Sequence, residues 1–283
     1  MSWRQEVRVN YRIAVPAAAL IAAAACSSPG VDDRAFQWSD QIPAGSIVHV
    51  RDGSGDITIR RATGPSATVT ASRRWRRGRS SDIHFVVKQD GKDYYVCAMW
   101  RGSGRCGASG YRGRQTGSFL TMFSLFHRSS DSRADFVAEV PANVVVDAST
   151  NNGSVQVNGT NAGVTAKTVN GTIEASNVSG PVSLSTTNGN VRLSADSLAD
   201  ADAVRLSTTN GAIHAELPAN LQGNFDISTV NGAVSSDFPI PSTSTERMNR
   251  HLQGQIGSLP RVVKMRTING AVSVTSRAAP ATH

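Results

Sequence analysis

Large aromatic rings are scarce in this chain, because Phe, Trp and Tyr make up 6% of its 283 residues. Compact globular cores are usually rich in such rings, so small and β-branched side chains must do the packing here. The chain is nevertheless 39% hydrophobic, which is too apolar for intrinsic disorder. Its length suits one large all-β domain or two ordinary ones.

The chain also lacks the motifs of common catalytic and metal sites. It contains no G-x-S-x-G nucleophile elbow, no calcium-binding G-G-x-G-x-D repeat and no phosphate loop, and its histidines are dispersed. The acids of its second half stand at different offsets from the repeated motif described below, so stacked repeats would not gather them. We therefore predict no catalytic residue, no metal site and no cofactor.

Beyond its N-terminus, the chain has no apolar run of the roughly 20 residues that a membrane-spanning helix needs. At the N-terminus, Arg4, Arg8 and Arg12 precede the apolar stretch Ile13–Ala25. Positive charge followed by a short apolar segment is typical of an export signal. Residues 1–25 are therefore predicted to be a signal peptide.

Cys26 directly follows Ala23-Ala24-Ala25 and precedes a Ser-Ser-Pro-Gly segment. This arrangement resembles the lipobox of bacterial lipoproteins, which implies a lipidated Cys26 followed by a tether over residues 26–35. The Ser after the Cys implies sorting to an outer membrane. The alternative is an ordinary signal peptide that is cleaved beside an incidental cysteine.

Cysteine is rare, with three in the chain. Cys97 and Cys106 are separated by a segment with two glycines that can turn the chain back, and an oxidising compartment favours a disulfide between them. Zinc is the rival interpretation, but two cysteines without a nearby histidine make a poor ligand set. We predict the disulfide.

The chain is rich in one phrase, Thr-x-Asn-Gly-x-Val/Ile, which occurs six times. The Asn-to-Asn spacings are 18, 18, 22, 21 and 38 residues. The phrases are Thr150–Val155, Thr168–Ile173, Thr186–Val191, Thr208–Ile213, Thr229–Val234 and Thr267–Val272. Their predicted corner residues are Asn152, Gly153, Asn170, Gly171, Asn188, Gly189, Asn210, Gly211, Asn231, Gly232, Asn269 and Gly270.

Two architectures fit these phrases. Between them the chain alternates apolar and polar residues, as in Val182-Ser-Leu-Ser185, which is typical of half-buried strands. Asn-Gly between such strands is a strong hairpin signal, and a run of hairpins would form a meander or a barrel. Hairpins do not require the same Thr and Val at every copy, whereas a solenoid does, because its coils stack identical residues. We predict an all-β fold, a parallel β-solenoid of short stacked strands.

The predicted organisation has two repeat regions around a basic insertion. The N-terminal repeats cover residues 36–71 and the main solenoid covers 135–276, followed by a tail at 277–283. The insertion, 72–134, contains a predicted hairpin formed by Ile83–Lys88 and Tyr94–Cys97. A second insertion, 239–260, accounts for the longest spacing and carries a predicted short helix over 244–251.

The insertion at 72–134 holds a large excess of Lys and Arg over Asp and Glu, in a chain of net charge +8. Basic residues beside aromatic ones can bind polyanions, and in an exported protein these are anionic lipid, lipopolysaccharide or acidic glycan rather than nucleic acid. A solvated loop without a dedicated partner is the alternative. The candidate polyanion-binding residues are Arg73, Arg74, Trp75, Arg76, Arg77, Arg79, Arg112 and Arg114.

With Gly55–Ile59, Val140–Asn143 and the six phrases, the chain resembles the bacterial putative-adhesin family of β-strand-repeat domains. The resemblance implies a parallel β-solenoid in an exported or membrane-linked protein, and it implies no catalytic residues. We expect a non-enzymatic cell-envelope lipoprotein whose solenoid binds a partner, a glycan or anionic lipid. The alternative is a carbohydrate-active β-helix enzyme, a polysaccharide lyase or hydrolase.

Overall fold

The computed structural model describes residues 30–76, 80–100, 106–107, 132–241 and 250–277. These residues form two ten-stranded sheets and one 3-10 turn, Ser80–Asp82. In spatial order, sheet A consists of β1 (Gly30–Gln41), β4 (Ser66–Trp75), β7 (Ser132–Val140), β3 (Ile57–Arg61), β9 (Val155–Asn158), β11 (Ile173–Ser179), β13 (Val191–Ser197), β15 (Ile213–Pro218), β20 (Val272–Arg277) and β17 (Val234–Ser236). Sheet B consists of β18 (His251–Ile256), β16 (Gly223–Asn231), β19 (Val262–Asn269), β14 (Val204–Ser207), β12 (Val182–Ser185), β10 (Val164–Lys167), β8 (Val145–Ser149), β2 (Ile47–Arg51), β6 (Asp93–Trp100) and β5 (Ile83–Asp90).

Each coil contributes one strand to each sheet, and the strands of successive coils pair in parallel. The strands form because apolar residues alternate with polar ones, which puts one set between the sheets and the other outside. In β12, Val182 and Leu184 are buried while Ser183 and Ser185 face outward. The prediction of an all-β parallel solenoid is confirmed, and the hairpin alternative is wrong.

The Asn-Gly pairs stand at the corner where a coil passes from sheet B to sheet A, and the asparagines bridge one another in parallel. They are not hairpin turns, because Asn177 is the one non-glycine with a positive φ among the described residues. Glycine is required for a different reason. A Cβ on Gly171 would lie 1.9 Å from the carbonyl oxygen of Gly153 in the neighbouring coil.

The coils do not stack in chain order at the two ends. The last coil, β19 and β20, lies between the coil of β14 and β15 and the coil of β16 and β17. At the other end, β6 and β7 lie outside β2 and β3, and residues 101–131 separate this outermost pair. Antiparallel strands cover the edges here, with β5 on β6 and β4 and β1 on β7.

Several predicted boundaries differ from the strands. β4 runs on to Trp75 and β7 begins at Ser132, so both limits of the 72–134 insertion fall inside strands of sheet A. The expected hairpin corresponds to β5 and β6, which extend sheet B. β1 begins at Gly30, inside the expected tether 26–35, because it pairs with β4.

The predicted helix over 244–251 falls largely outside the described residues, and its last residue, His251, begins β18 instead. That strand pairs antiparallel with β16, so part of the 239–260 segment covers an edge of sheet B. Among the described residues, no helix has the length and apolar character needed to cross a membrane. The signal peptide, Cys26 and the tail from 278 onward also lie outside the described residues.

Candidate functional site

The candidate polyanion-binding arginines of β4 are occupied by neighbours within the fold. Arg73 stacks over the ring of Phe85 at 5.0 Å and lies 3.7 Å from Asp32. Burial lowers the pKa of Arg73, and Asp32 partly opposes this shift. Arg74 forms an ion pair of 3.0 Å with Asp135.

The remaining candidates are dispersed. The ring of Trp75 covers Gly30, where a Cβ would lie 2.1 Å from Cζ2 of the indole. Arg76 is exposed at the end of β4. The other four candidates, Arg77, Arg79, Arg112 and Arg114, lie outside the described residues. The described part of this segment therefore does not form a cluster of free cations.

The disulfide prediction is confirmed, because Cys97 is bonded to Cys106 with Cα atoms 5.9 Å apart. Cys97 points away from the main core and packs with Tyr95 and Met99 in a second buried cluster. Cys106 and Val86 contact this cluster. The outward side of sheet B is therefore covered at β6 by this cluster. The outward side of the central strands of the sheet is not covered by it.

A buried polar network adjoins this cluster on the same side of sheet B. His49 stacks on Tyr95 with ring centroids 4.3 Å apart, and its Nδ1 lies 2.9 Å from a carboxylate oxygen of Asp147. Arg51 donates to both carboxylate oxygens of Asp147. Burial alone would raise the pKa of Asp147, but the hydrogen bonds from Arg51 and His49 hold it well below its usual range. Arg51 and His49 therefore occupy both carboxylate oxygens of Asp147 and leave little of this acid for a ligand.

Farther along sheet B, four neighbouring strands present an open basic surface. The register aligns two outward rows across β10, β12, β14 and β19. We call this surface the basic face. One row is Thr165, Ser183, Arg205 and Lys264, and the other is Lys167, Ser185, Ser207 and Arg266.

The four cations of the basic face are exposed. In the second row two serines separate the cations, whereas in the first row Arg205 and Lys264 are adjacent. Lys264 pairs with Asp226 at 3.2 Å, whereas Lys167, Arg205 and Arg266 have no ion pair with any described residue. Neighbouring strands lie about 4.8 Å apart and alternate residues of one strand about 7 Å apart. The face therefore offers a flat grid of donors on a spacing fixed by the sheet.

The outward side of sheet A has a different charge pattern. Glu174 and Arg192 are adjacent in one row, followed by His214, and Glu216 stands in the next row. His214 lies 3.8 Å from Glu216. The acids here alternate with basic groups instead of converging on one point. Within the described ranges, no group of three His, Cys, Asp or Glu residues is arranged to hold a metal ion.

A groove of about 810 Å³ runs along the edge opposite the Asn-Gly corners. Its two arginines are engaged by the protein. Arg261 donates to the carbonyl oxygens of Gln222, Leu198 and Ala199, and Arg277 donates to Ser194 and Asp196. These bonds tie the turns of the coils together, so the groove contributes fewer free cations than the basic face.

Sequence reasoning did not identify the basic face, although the signal was present. Its residues stand one and three positions before the Thr of four of the six phrases, such as Lys167 and Thr165 before Thr168. In an extended segment that leads into this buried Thr, those two positions point outward. An alignment of the six phrases would have placed Arg205, Lys264 and Arg266 on one surface.

Comparison with known proteins gives the family of the chain. A model described as Toastrack DUF4097 matches residues 124–275. The structure is similar to that of a putative cell adhesion protein from Clostridium sporogenes, at 11% identity and a TM-score of 0.43, covering 86% of this chain and 99% of the other. It is also similar to a putative adhesin from Bacteroides fragilis, at 10% identity and a TM-score of 0.39, covering 86% and 96%.

A third similar structure is a putative lipid binding protein from Parabacteroides distasonis, at 8% identity and a TM-score of 0.21, covering 89% of this chain and 98% of the other. No curated protein sequence matches the chain. The matching family model covers more than half of the 283 residues and includes all six Thr-x-Asn-Gly phrases. The chain therefore belongs to the Toastrack DUF4097 family.

Proposed function

We propose that the protein is a non-enzymatic cell-envelope lipoprotein, anchored to the outer membrane through Cys26, whose solenoid binds a polyanion on the basic face. The ligand class is an extended chain or surface that carries sulfate, phosphate or carboxylate groups. In the envelope this chemistry belongs to acidic glycans, lipopolysaccharide and anionic lipid headgroups.

The observation that supports this proposal is the unpaired charge of the basic face. Lys167, Arg205 and Arg266 have no carboxylate partner among the described residues, and no acid stands in either row of the face. Several positive charges on one surface create an electrostatic potential that attracts anions. Arg also forms bidentate hydrogen bonds with phosphate and carboxylate oxygens.

The shape of the face favours an extended ligand. Solenoids present long, regular surfaces because every coil adds one strand at a constant spacing. Ser185 and Ser207 lie between Lys167 and Arg266, and the hydroxyl of Ser207 donates to Ser185 at 2.9 Å. Hydroxyls of this kind also bind sugar hydroxyls and anionic oxygens.

Retention of the full chain on immobilised dextran sulfate tests the binding proposal, with uncharged dextran as the matched control. We expect retention on dextran sulfate alone, and elution at moderate salt, because added ions screen exposed charges beyond about 8 Å at 0.15 M. Equal behaviour on the two matrices would refute the proposal.

The anchor is tested independently by mass analysis of the mature N-terminus from the native host. We expect a diacylated Cys26 as the first residue. A mature chain that begins elsewhere, or that begins at an unmodified Cys26, would contradict the lipoprotein assignment and leave the binding assignment standing.

A further inference from the structure

The Asn-Gly corners contain a buried ladder of threonine hydroxyls. In each corner, the Thr of the phrase donates its Oγ1 hydrogen to the carbonyl oxygen of a glycine in the neighbouring coil, at 2.8–3.1 Å. The pairs are Thr150 to Gly55, Thr168 to Gly153, Thr186 to Gly171, Thr208 to Gly189, Thr267 to Gly211 and Thr229 to Gly270. Every one of these threonines is buried.

Asp52 occupies the threonine position in the next corner, between β2 and β3. Ser54 bridges Asn152 in parallel, and the amide of Gly55 donates to the carbonyl oxygen of Asn152, as the later corners do with one another. The amide of Ala134 in β7 donates to Ser54 in the same manner. Ala134 O is therefore the carbonyl that a threonine at position 52 would reach.

The two carboxyl oxygens of Asp52 have different surroundings. Oδ1 accepts the amide hydrogen of Gly53 at 2.8 Å. Oδ2 is buried and has no hydrogen-bond partner in the described structure. Ala134 O and Asp52 Oδ2 lie 1.9 and 2.9 Å from the point where a Cβ on Gly55 would stand, so the two oxygens converge on one small space.

Two acceptors without a hydrogen between them repel, and a buried unpaired charge is costly. A neutral carboxylic acid removes both penalties, because its hydroxyl is a donor. We propose that Asp52 is a proton-bearing member of the threonine ladder, which donates from Oδ2 to Ala134 O when neutral and releases the outermost coil when it ionises.

The electrostatic surroundings support the neutral form. Burial raises the pKa of Asp52 to about 8, although the amides of Ser54 and Gly53 oppose the shift. From β7, Asp135 raises this pKa further and Arg133 lowers it. The effect of Arg133 is limited because its guanidinium also pairs with Asp56 and Asp135.

The sign of the pH dependence follows from this shift. The pKa of Asp52 is raised from 3.8 to about 8 on folding, so between these values the native chain holds a proton that the unfolded chain has lost. The stabilisation is complete below pH 3.8 and is lost as the pH rises through about 8. Between these two pH values, ionisation of Asp52 lowers the folding equilibrium constant by up to about tenfold per pH unit.

The affected coil is the one that residues 101–131 interrupt. It ends on one side at Trp100 in β6 and resumes at Ser132 in β7. The Asp52 corner supports both sides, since a Cβ on Gly53 would lie 2.9 Å from the ring of Trp100 and Ala134 is the second residue after Ser132. Ionisation of Asp52 therefore loosens the outermost coil on both sides, at Trp100 in β6 and at Ala134 in β7.

Thermal unfolding of the full chain between pH 5 and pH 9 tests the proposal with three variants. Asp52→Asn keeps the shape and a donor at every pH, and Asp52→Thr restores the residue of the other corners. Glu174→Gln, an exposed acid of the middle coils, is the matched control. We expect the midpoint of the wild type and of Glu174→Gln to fall as the pH rises, and both Asp52 variants to change much less.

Amide hydrogen exchange then locates the change. In the wild type at pH 9 relative to pH 6, after correction for the intrinsic pH effect, we expect protection to fall at residues 52–56 and 132–136 and to persist at the Thr186 corner. Asp52→Thr should keep its protection in both segments. A wild-type pH slope that survives in both Asp52 variants, or equal loss of protection at both corners, would overturn the proposal.

Discussion

The Asn-Gly corners and the basic face belong to the same coils, but one is built from repeated residues and the other from residues that differ. At the corner, Asn188 donates to Asn170 and accepts from Asn210, each at 2.8 Å, so identical side chains satisfy one another. On the basic face, Arg205 is adjacent to Lys264 on one side and to Ser183 on the other.

The difference shows how a solenoid separates structure from recognition. A residue that repeats in every coil pairs with its own copy above and below, which stabilises the stack and uses up its polar groups. A residue that changes from coil to coil has no such partner, so its charge stays available. We therefore expect corner substitutions to reduce the free energy of unfolding, and basic-face substitutions to reduce binding.

The largest loss of stability is expected for Gly171→Ala. The added methyl group would stand 1.9 Å from the carbonyl oxygen of Gly153, so the two coils must separate. We expect the free energy of unfolding to fall by about 3 kcal/mol or more, measured by denaturant titration. Gly64→Ala is the control, because a Cβ there meets nothing within 4 Å. Equal effects of the two substitutions would contradict the close-packed corner.

A smaller loss is expected for Thr186→Val, which keeps the shape and removes the hydroxyl. The carbonyl oxygen of Gly171 would then lose its donor at 3.0 Å while remaining inside the corner. The expected decrease in the free energy of unfolding is about 1–3 kcal/mol, the usual cost of an unsatisfied buried polar group. Thr165→Val, on the outward side of β10, should cost far less. A stability cost for Thr165→Val as large as that for Thr186→Val would refute the ladder.

A still smaller loss is expected in the exposed asparagine ladder. Asn188→Ala removes two side-chain bonds, whereas Asn231→Ala removes the one bond that it makes with Asn269. Because these groups are accessible to water, we expect about 1 kcal/mol for the first and about half of that for the second. Chemical denaturation of both variants measures the difference. A larger loss for Asn231→Ala than for Asn188→Ala would contradict a stabilising asparagine ladder.

The smallest change in stability is expected on the basic face. Arg205→Ser combined with Arg266→Ser alters exposed side chains without an ion pair among the described residues. Such substitutions usually change the free energy of unfolding by less than about 0.5 kcal/mol each. Denaturant titration should therefore give a midpoint close to that of the wild type. A loss comparable to that of Thr186→Val would assign these arginines to the scaffold.

Much of the fold could be predicted from the sequence because its repeats are local and nearly identical. Six copies of one phrase indicated the corner, the alternation between them indicated the strands, and the spacing of Cys97 and Cys106 indicated the disulfide. The order of the end coils could not be predicted in this way. The insertion of β19 and β20 between earlier coils depends on which strand edge is free, and that is a property of the assembled sheets.

The candidate site was harder to predict because its residues come from several coils. Basic residues that are close together in the sequence do not show which basic residues share a surface in the fold. Arg73 and Arg74 are adjacent to other basic residues in the chain, yet they contact Phe85 and Asp135 in the fold. Arg205 and Lys264 are far apart in the chain and adjacent in the sheet. Asp52 was not recognised as a corner residue because Asp52 and Ser54 replace the Thr and the Asn of the phrase.

The most direct measurement is the affinity of two charge-matched double variants for dextran sulfate at one salt concentration. Arg205→Ser with Arg266→Ser changes the basic face, and Arg60→Ser with Arg192→Ser removes the same charge from the outward side of sheet A. At about 1 kcal/mol per cation near an anionic surface, we predict about 30-fold weaker binding for the first pair and little change for the second. Equal weakening by both pairs would mean that net charge alone attracts the ligand, and would contradict a binding site on sheet B.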